Sequence, residues 1–589
     1  MISAQKEKLN SFFQDSMRYV VPFFQRPYVW EIENWDNLWE NILETYNLYQ
    51  QEKNREHFIG TLIIKQIPAK KINESNFDLI DGQQRITSIS LLLKAIELST
   101  KNDDEFPELK SQLQSLLTFK DAKGILHYRI EHNRIDKPYF EDIISLNMQM
   151  NDNGFNIEEY LSVKSENLLV TAFQYFLKRT KDFNNEELSD LKDVILHKVP
   201  VISMLLARDD EEQEIFDTIN SLGVKLTTSE LLKNYIFKEK ELQPLYDKYW
   251  FDVFETDEET RGFWNTDKTA GRVFRTNAEI LLYIFLIIET QKDIRLEKLF
   301  KEYKDWLKNK KNSEKESFLA NLKEYADIYF KFPSNSEINE ISFLEYEKRF
   351  FHIIENLSIT TVYPLIMFIY KNVKDNNERG KILSLLESYL VRRNISKFTT
   401  KNYNNLFLSI LQKLINKDGE ISYLDYLKQI VAEFNEITNK FPDNSDFRYA
   451  FNNSILSNQN AREILYIISL KQINTGYNDR DKLSLKSFST EHIMPQKWEE
   501  NWKDREFTDE EKWQRNFKLK TLGNLTITTG KLNSSLKNSS WDNKKDVLKK
   551  FSSLPITISY IDIPEWNEIE IEKRADDLFK LSKEIWKEI

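Results

Sequence analysis

The chain has 589 residues, of which 40% are hydrophobic and 30% are charged, and its formal net charge is −11. These values are typical of a folded globular protein, and a chain this long usually forms about two to four domains. They argue against a disordered chain and against a generally basic nucleic-acid coat. The absence of cysteine excludes disulfides, zinc–thiolate sites and cysteine catalysis.

Neither a membrane span nor a secretion signal is visible in the sequence. No apolar run approaches the roughly 18 residues that a transmembrane helix needs. The first eight residues lack the apolar stretch of a signal peptide. We therefore expect a soluble, cytoplasmic protein without a membrane partner.

The first hundred residues mix strand-like and helical patterns, which predicts a small α+β domain at 1–100. The predicted elements are an extended segment at 19–22, a helix within 30–42, strands at 57–67 and 77–81, and a buried helix over 85–98.

Residues from about 101 to 475 are predicted to be almost entirely helical, as a helical extension at 101–240 and a helical middle domain at 241–475. Thr227 and Glu230 have the spacing of a capping box, and an apolar stripe follows them. Asn220–Gly223 predicts a break between two helices. Further helices are predicted at 279–289, 351–370, 381–392 and 461–472.

The final segment, 476–589, changes character again. Short strand-like pieces flank polar loops, and we predict a strand at 519–528 with helices at about 530–551 and 568–588. The whole chain is thus predicted to be mainly α, with a multidomain α+β architecture.

A candidate catalytic site lies in this final segment. Glu491 and His492 are followed by Asn524 and, nine residues later, by Asn533. A neutral imidazole suits the deprotonation of water, and carboxylate and amide oxygens suit Mg²⁺ or Mn²⁺. Asn524 could brace the loop or orient His492. In the structural alternative, the histidine caps a strand and the asparagines serve turns.

The same segment is locally basic. Residues 512–550 hold ten lysines or arginines against two aspartates. A solvated basic helix is the simplest explanation, but the overlap with the candidate site favours a phosphate-binding face. The predicted DNA contacts are Lys531, Lys537, Lys544 and Lys545.

The order acidic–His, Asn, Asn resembles the His-Me finger (HNH-type) nuclease core, and the surrounding string resembles the C-terminal domain of GmrSD-type modification-dependent restriction proteins. The resemblance implies a ββα-metal finger in which His492 is the general base and Glu491 and Asn533 hold the metal. Asn524 is the middle asparagine and is expected to be catalytic together with His492. Glu491 departs from many relatives, which carry Asp there. Because no cysteines brace the finger, we expect packing by tryptophans, namely Trp498, Trp502 and Trp513.

A second candidate site is the string Asp81-Gly82-Gln83-Gln84-Arg85, between a predicted strand and a predicted helix. Gly82 permits a tight turn, the helix start can accept phosphate oxygens, and Arg85 adds a bidentate cation. Gln25 and Arg26, which lie among aromatic residues, could extend this surface. Alternatively, Arg85 pairs with a core carboxylate and the aromatic residues belong to the core.

These strings, together with His57–Gly60, Ile215–Gly223 and Leu231–Lys233, resemble the N-terminal half of the same restriction proteins. The resemblance implies a ParB/sulfiredoxin-like fold that binds and hydrolyses a nucleoside triphosphate and helps to sense modified DNA. The implied nucleotide-binding residues are Gln25, Arg26, Asp81, Gly82, Gln83, Gln84 and Arg85.

The resulting prediction is a modification-dependent, metal-dependent DNA endonuclease of anti-phage defence that is regulated by nucleotide hydrolysis. Its expected partners are modified phage DNA and nucleotide, and a homo-oligomer is an expected assembly. A nucleotide-switched DNA-binding protein without nuclease activity is the alternative. A third possibility is an N-terminal site that binds phosphate or DNA without turning nucleotide over.

Overall fold

The computed structural model describes the chain except residues 1–2, 15–16, 24, 54, 68–74, 102–104, 122, 147–154, 207–226, 240, 271–272, 334–336, 475–481 and 504. The predicted helix break at Asn220–Gly223 and the matched string Ile215–Gly223 lie outside the described residues. The chain divides into two compact units, Met1–Gln243 and Pro244–Ile589.

The N-terminal unit is built on a six-stranded mixed sheet with the strand order β1-β8-β3-β4-β2-β7. The β1–β8 and β3–β4 pairs are antiparallel, whereas β8–β3, β4–β2 and β2–β7 are parallel. A separate antiparallel pair is formed by β5 and β6. The strands are β1 (Ser3–Lys8), β2 (Met17–Val20), β3 (Thr61–Ile67), β4 (Ser75–Asp81), β5 (Thr118–Lys120), β6 (Leu126–Tyr128), β7 (Ile130–Glu131) and β8 (Pro200–Leu206).

Eight helices are described in this unit, and α2 is its most buried element. Sixteen of the seventeen residues of α2 are buried, all except Arg85. One hydrophobic core runs from Leu9 to Val201, so the residues that follow the first hundred share the core of the sheet. The helices are α1 (Ile32–Gln50), α2 (Gln83–Ser99), α3 (Leu109–Leu117), α4 (Lys137–Ser145), α5 (Ile157–Ser162), α6 (Leu168–Thr180), α7 (Asn185–Lys198) and α8 (Thr228–Phe237).

The predicted capping box at the start of α8 is confirmed. The backbone N–H of Glu230 donates to Oγ1 of Thr227, and the N–H of Thr227 donates to the carboxylate of Glu230. Each bond satisfies a backbone group that a helix N-terminus would otherwise leave without a partner.

The C-terminal unit is mainly helical. A π-helical turn at Tyr246–Phe251 leads into the first of its helices. These are α9 (Asp252–Phe254), α10 (Glu258–Asn265), α11 (Asn277–Thr290), α12 (Leu299–Leu307), α13 (Asn312–Phe330), α14 (Tyr346–Asn356), α15 (Tyr363–Asn372), α16 (Asn376–Ile395), α17 (Tyr403–Ile415), α18 (Tyr423–Ala432), α19 (Asn444–Asn453), α20 (Asn458–Ile473), α21 (Asp509–Lys518), α22 (Gly530–Leu536), α23 (Trp541–Phe551), α24 (Pro555–Ile558) and α25 (Glu568–Ile585).

The single helix predicted at 351–370 is wrong. The structure has two helices there, α14 and α15, separated by a short 3-10 turn at Thr360–Val362. Pro364 lies in the first turn of α15, where its missing N–H costs nothing, whereas inside a continuous helix it would break the hydrogen-bond ladder.

Three short antiparallel pairs complete the C-terminal unit. A core that extends from Ile341 to Trp586 includes Leu525 and Ile527 of the last pair and much of α20. The final strands are therefore fixed to helices that precede them in the chain. The strands are β9 (Asp267–Ala270), β10 (Val273–Thr276), β11 (Glu340–Ser342), β12 (Lys482–Ser484), β13 (Phe488–His492) and β14 (Leu525–Thr529).

The prediction of a mainly α, multidomain α+β protein is confirmed. The four segment boundaries drawn from the sequence stay predictions. Among the described residues, no helix combines the length and the apolar character needed to cross a bilayer.

Candidate active site

The C-terminal candidate residues lie on an antiparallel hairpin followed by a helix. In the hairpin, Glu491 is opposite Thr526 and His492 is opposite Leu525. α22 begins directly after β14 and packs against β13. The strand predicted at 519–528 is shorter than expected, because Leu522–Asn524 forms a 3-10 turn before β14 begins.

His492 is the last residue of β13, and its side chain is half-buried. The side-chain amide of Gln496 donates to Nε2 of His492 at 3.2 Å. Burial, followed by the nearby charges of Lys544 and Lys520, lowers the pKa of His492 to about 4. The imidazole is therefore neutral near pH 7 and able to accept a proton.

Glu491 is almost sealed from solvent, at 6% exposure. The ammonium Nζ of Lys544 donates to its Oε1 at 2.5 Å and to the backbone carbonyl of His492 at 2.8 Å. Burial raises the pKa of Glu491 and lowers the pKa of Lys544, and the contact between the two groups opposes both shifts.

Asn533 is held against β13 by its side-chain amide. Its Nδ2 donates to Oγ of Ser489 and to the carbonyl of Thr490, both at 2.9 Å. Ser489 and Glu491 are two residues apart on one strand, so their side chains share a face of the hairpin. The amide nitrogen is thus used for anchoring, which leaves the amide oxygen, Oδ1, to act as a ligand.

Asn524 is completely buried, and its amide is engaged at both ends. Oδ1 accepts the N–H of Met494 at 2.9 Å and the indole N–H of Trp566 at 3.0 Å. Nδ2 donates to the carbonyls of Met494 at 2.8 Å and Leu519 at 3.0 Å. These contacts support the predicted bracing of the loop, so we assign Asn524 as a positioning residue.

Sequence reasoning missed Arg574, which organises the turn before β14. This fully buried residue of α25 donates to the carbonyls of Leu522, Gly523 and Leu525. The one signal in the sequence was its place on the apolar face of α25, three residues after Ile571 and one before Ala575.

Of the lysines predicted to contact DNA, Lys531 and Lys537 are exposed. Lys545 is partly exposed and pairs with Asp542 at 2.8 Å. The prediction for Lys544 is wrong, because its side chain is buried and its charge faces Glu491 instead of solvent.

The tryptophans near the hairpin differ in their environment. Trp498 is 1% exposed, and the indole of Trp502 packs against the same cluster. Trp513 is 67% exposed and stacks on Phe517, so its predicted role in packing the hairpin core is wrong.

The side chains near His492 offer few ligands for a divalent cation. Within the described residues, no group of three or more His, Asp or Glu side chains could enclose a metal ion. Glu491 lies on β13 and Asn533 on α22, which packs against that strand, so each could offer one oxygen ligand. Mg²⁺ is commonly held by one or two carboxylates with several waters. The residues therefore fit a hydrated hard cation and do not fit a fully protein-enclosed one.

In the N-terminal unit, Asp81 ends β4, and Gly82 takes the left-handed region, with φ +92°, immediately before α2. The N-cap residue of α2 is Gly82, which has no side chain with which to cap the helix. The guanidinium of Arg85 donates to the carbonyl of Thr61 at 2.7 Å and lies 3.4 Å from Asp81. This geometry therefore agrees with the alternative in which Arg85 pairs with a carboxylate.

The predicted glutamines brace the segment before α1. The amide of Gln25 donates to the carbonyls of Leu79 and Ile80, and that of Gln83 donates to the carbonyl of Arg26. Gln84 bridges two backbone groups of the same segment, since it accepts from Val29 at 2.9 Å and donates to Pro27 at 3.2 Å. Arg26 itself is partly buried. The nucleotide contacts of these residues stay predictions.

Two regions of the chain match domains of a known protein family. Residues 9–237 match the N-terminal domain of the GmrSD restriction endonucleases, and residues 441–581 match their C-terminal domain. No curated protein gives a significant match. Each candidate site lies inside one matched range.

The two matches define the class of protein as a restriction endonuclease, whose substrate is DNA. They occur in order in a single chain and together cover more than half of it. The chain belongs to the GmrSD-type restriction endonucleases.

Proposed function

We propose that the chain cuts DNA with a divalent cation at the β13–β14–α22 site, in the manner of a His-Me finger. One observation carries the proposal: the hairpin and the helix that follows it join His492, Glu491 and the anchored amide of Asn533 on one small substructure.

In this mechanism, neutral His492 accepts a proton from water as the water oxygen attacks the phosphorus of a phosphodiester. The bond from phosphorus to one bridging oxygen breaks, and that oxygen leaves with a proton from solvent. A Mg²⁺ or Mn²⁺ ion held by Glu491 and Asn533 would neutralise charge on the phosphate oxygens. Asn524 fixes the loop that follows His492.

Lys531, Lys537 and Lys545 are proposed to contact the DNA backbone. Two of these cations are exposed and the third is partly exposed. Phosphate contacts of this kind release counterions, so DNA affinity should fall as salt concentration rises.

The nuclease proposal is tested by nicking of supercoiled plasmid with Mg²⁺ or Mn²⁺. The His492→Ala variant should bind DNA in a gel-shift assay but fail to nick it. His197→Ala is the control, because it removes a partly exposed histidine of the N-terminal unit. Wild-type protein that binds DNA but never nicks it would instead support the nucleotide-switched DNA-binding protein.

We further propose that the turn from β4 to α2 binds a nucleoside triphosphate and hydrolyses it. The uncapped start of α2 and the Arg85 guanidinium beside it support this proposal. Phosphate release from the four common triphosphates should be lost in Arg85→Ala. Arg55→Ala, which removes an exposed arginine paired with Glu44, should keep it. Absence of release in the wild type would favour a site that binds phosphate without turnover.

The proposed function includes a preference for modified DNA. We expect modified phage DNA to be cut in preference to plain DNA, with nucleotide present. A panel of DNAs that differ only in base or backbone modification, digested in parallel, measures the preference. Light scattering on the full-length chain tests the proposed homo-oligomer.

A further inference from the structure

Lys544 belongs to a locally basic segment, but its side chain is buried. It lies in the first turns of α23, on the same face as Trp541 and Leu548, which are buried as well. The indole of Trp541 donates to the carbonyl of Ile563 at 2.9 Å and so fixes the start of the helix. The Lys544 side chain therefore has a defined position under the hairpin.

The ammonium of Lys544 contacts two consecutive residues of β13. It donates to Oε1 of Glu491 at 2.5 Å and to the backbone carbonyl of His492 at 2.8 Å. A buried ammonium is costly unless its charge is paired and its N–H groups are satisfied. The paired ammonium therefore holds the Glu491 carboxylate and the His492 carbonyl at fixed positions relative to each other.

We propose that Lys544 is a positioning residue for the cation site, which fixes the Glu491 carboxylate and the backbone of His492 in a single arrangement. The inference rests on the proposed metal-dependent function of this hairpin. The ammonium contacts Oε1, so the carboxylate would meet the cation through its other oxygen. Hydrogen-bond partners of ligating carboxylates typically contribute about 10- to 100-fold in metal affinity.

The chain contains a matched control for this role. Lys94 in α2 is also fully buried, and its ammonium donates to the Glu97 carboxylate at 2.8 Å and to the carbonyl of Leu146 at 2.7 Å. The two lysines thus make the same pair of contacts, but Lys94 lies in the N-terminal unit. Loss of either lysine removes the cation that pairs with a buried carboxylate, and Glu97 keeps the side-chain amide of Gln114 as a donor at 2.9 Å.

The experiment measures Mn²⁺ binding to the full-length chain by electron paramagnetic resonance of the free ion, without DNA. Lys544→Met and Lys544→Gln should raise the Kd for Mn²⁺ by about tenfold or more. Lys544→Arg, which keeps a cation able to donate to both acceptors, should bind more tightly than either neutral variant. Lys94→Met should bind as the wild type does.

The possible outcomes distinguish a failure of the metal-dependent function from a failure of the role proposed for Lys544. A wild-type chain that binds no Mn²⁺ contradicts the metal-dependent function itself. A wild-type chain that binds it, with an unchanged Kd in a folded Lys544→Met or Lys544→Gln variant, overturns only the role of Lys544. If neither neutral variant folds under conditions in which Lys94→Met is folded, Lys544 serves the fold and the inference is also overturned.

Discussion

Asn524 holds Met494 by both of its backbone groups, accepting from the N–H at 2.9 Å and donating to the carbonyl at 2.8 Å. Met494 is the second residue after His492, so this clamp fixes the chain where it leaves β13. The backbone of Asn524 adds a third bond, because its carbonyl accepts the N–H of Ile493. The position of the candidate base thus depends on a residue that does not touch the reacting atoms.

Asn524→Ala should therefore affect both stability and activity. The change leaves the indole N–H of Trp566 and the N–H of Met494 buried without a partner, which should lower the free energy of unfolding by about 3 kcal/mol. Plasmid nicking should fall as well, because the loop after His492 is no longer fixed. Urea unfolding and a nicking assay in the folded range measure the two effects.

The control for this variant is Asn501→Ala, in the segment that follows β13. Asn501 is exposed, and its amide donates to the carbonyl of Asn538 at 2.8 Å. Its loss should change the free energy of unfolding by less than about 0.5 kcal/mol. Equal effects of the two substitutions would show that Asn524 is not the brace that its contacts indicate.

The two tryptophans with contrasting burial allow a second prediction. Trp498 is 1% exposed, packs edge-on against Phe507 and donates its indole N–H to Asn516 at 2.9 Å. Trp498→Ala should lower the free energy of unfolding by about 4 kcal/mol. Trp513→Ala, at a position that is 67% exposed, should cost less than about 0.5 kcal/mol. Urea denaturation of the two variants gives the comparison, and a larger loss for Trp513 would refute the assigned burial.

Local patterns in the sequence were enough to predict several elements. The near-continuous apolar run after Asp81 predicted a buried helix, which the structure has as α2. The capping box at Thr227 was also predicted, because it depends on two residues three positions apart. The strand–strand–helix order that the family resemblance implied around Glu491, His492 and Asn533 corresponds to β13, β14 and α22.

Contacts between distant parts of the chain could not be predicted in this way. Whether a tryptophan or a lysine is buried depends on which segments fold over it, so Trp498 and Trp513 could not be distinguished. The basic run around Lys544 was interpreted as a solvent-facing surface, whereas its partner Glu491 lies 53 positions earlier. Arg574 contacts a turn that lies about 50 positions earlier in the chain, and no local pattern indicates this contact either.

Gly60 provides a third prediction, for the N-terminal site. It has φ +115°, and a Cβ there would lie 2.1 Å from Nη1 of Arg85. Gly60→Ala should displace the guanidinium from the carbonyl of Thr61 and lower the free energy of unfolding by about 3 kcal/mol, from backbone strain and the lost hydrogen bond together. Phosphate release from nucleoside triphosphates should fall in parallel, as measured in a colorimetric assay on the folded variant.

Gly124→Ala separates these two contributions. Gly124 also has a positive φ, +78°, but a Cβ there would meet no atom within 4 Å. Its substitution should cost only the strain, about 1 kcal/mol, and leave phosphate release unchanged. If Gly60→Ala were no more destabilising than Gly124→Ala, the close contact with Arg85 would not constrain this position.

The free energy of unfolding should depend on pH through one buried histidine, His132. It is 4% exposed, and its ring lies 4.3 Å from that of Phe140. Its Nε2 is 3.4 Å from Oγ1 of Thr87, and its Nδ1 is 4.0 Å from the Asp136 carboxylate. Burial lowers the pKa of His132 from 6.5 to about 3 in the folded protein.

Between these two pKa values, the unfolded chain binds a proton at His132 that the folded chain does not. Its contribution to stability is therefore complete above pH 6.5 and is lost as the pH falls towards 3, by about 1.4 kcal/mol per pH unit. From pH 6.5 to pH ~4.5, the wild type should lose about 2 kcal/mol more than His132→Gln, which cannot titrate there. Urea unfolding at a series of pH values measures the difference. Parallel curves for His132→Gln and the wild type would mean that the imidazole of His132 becomes protonated within the fold at an ordinary pH.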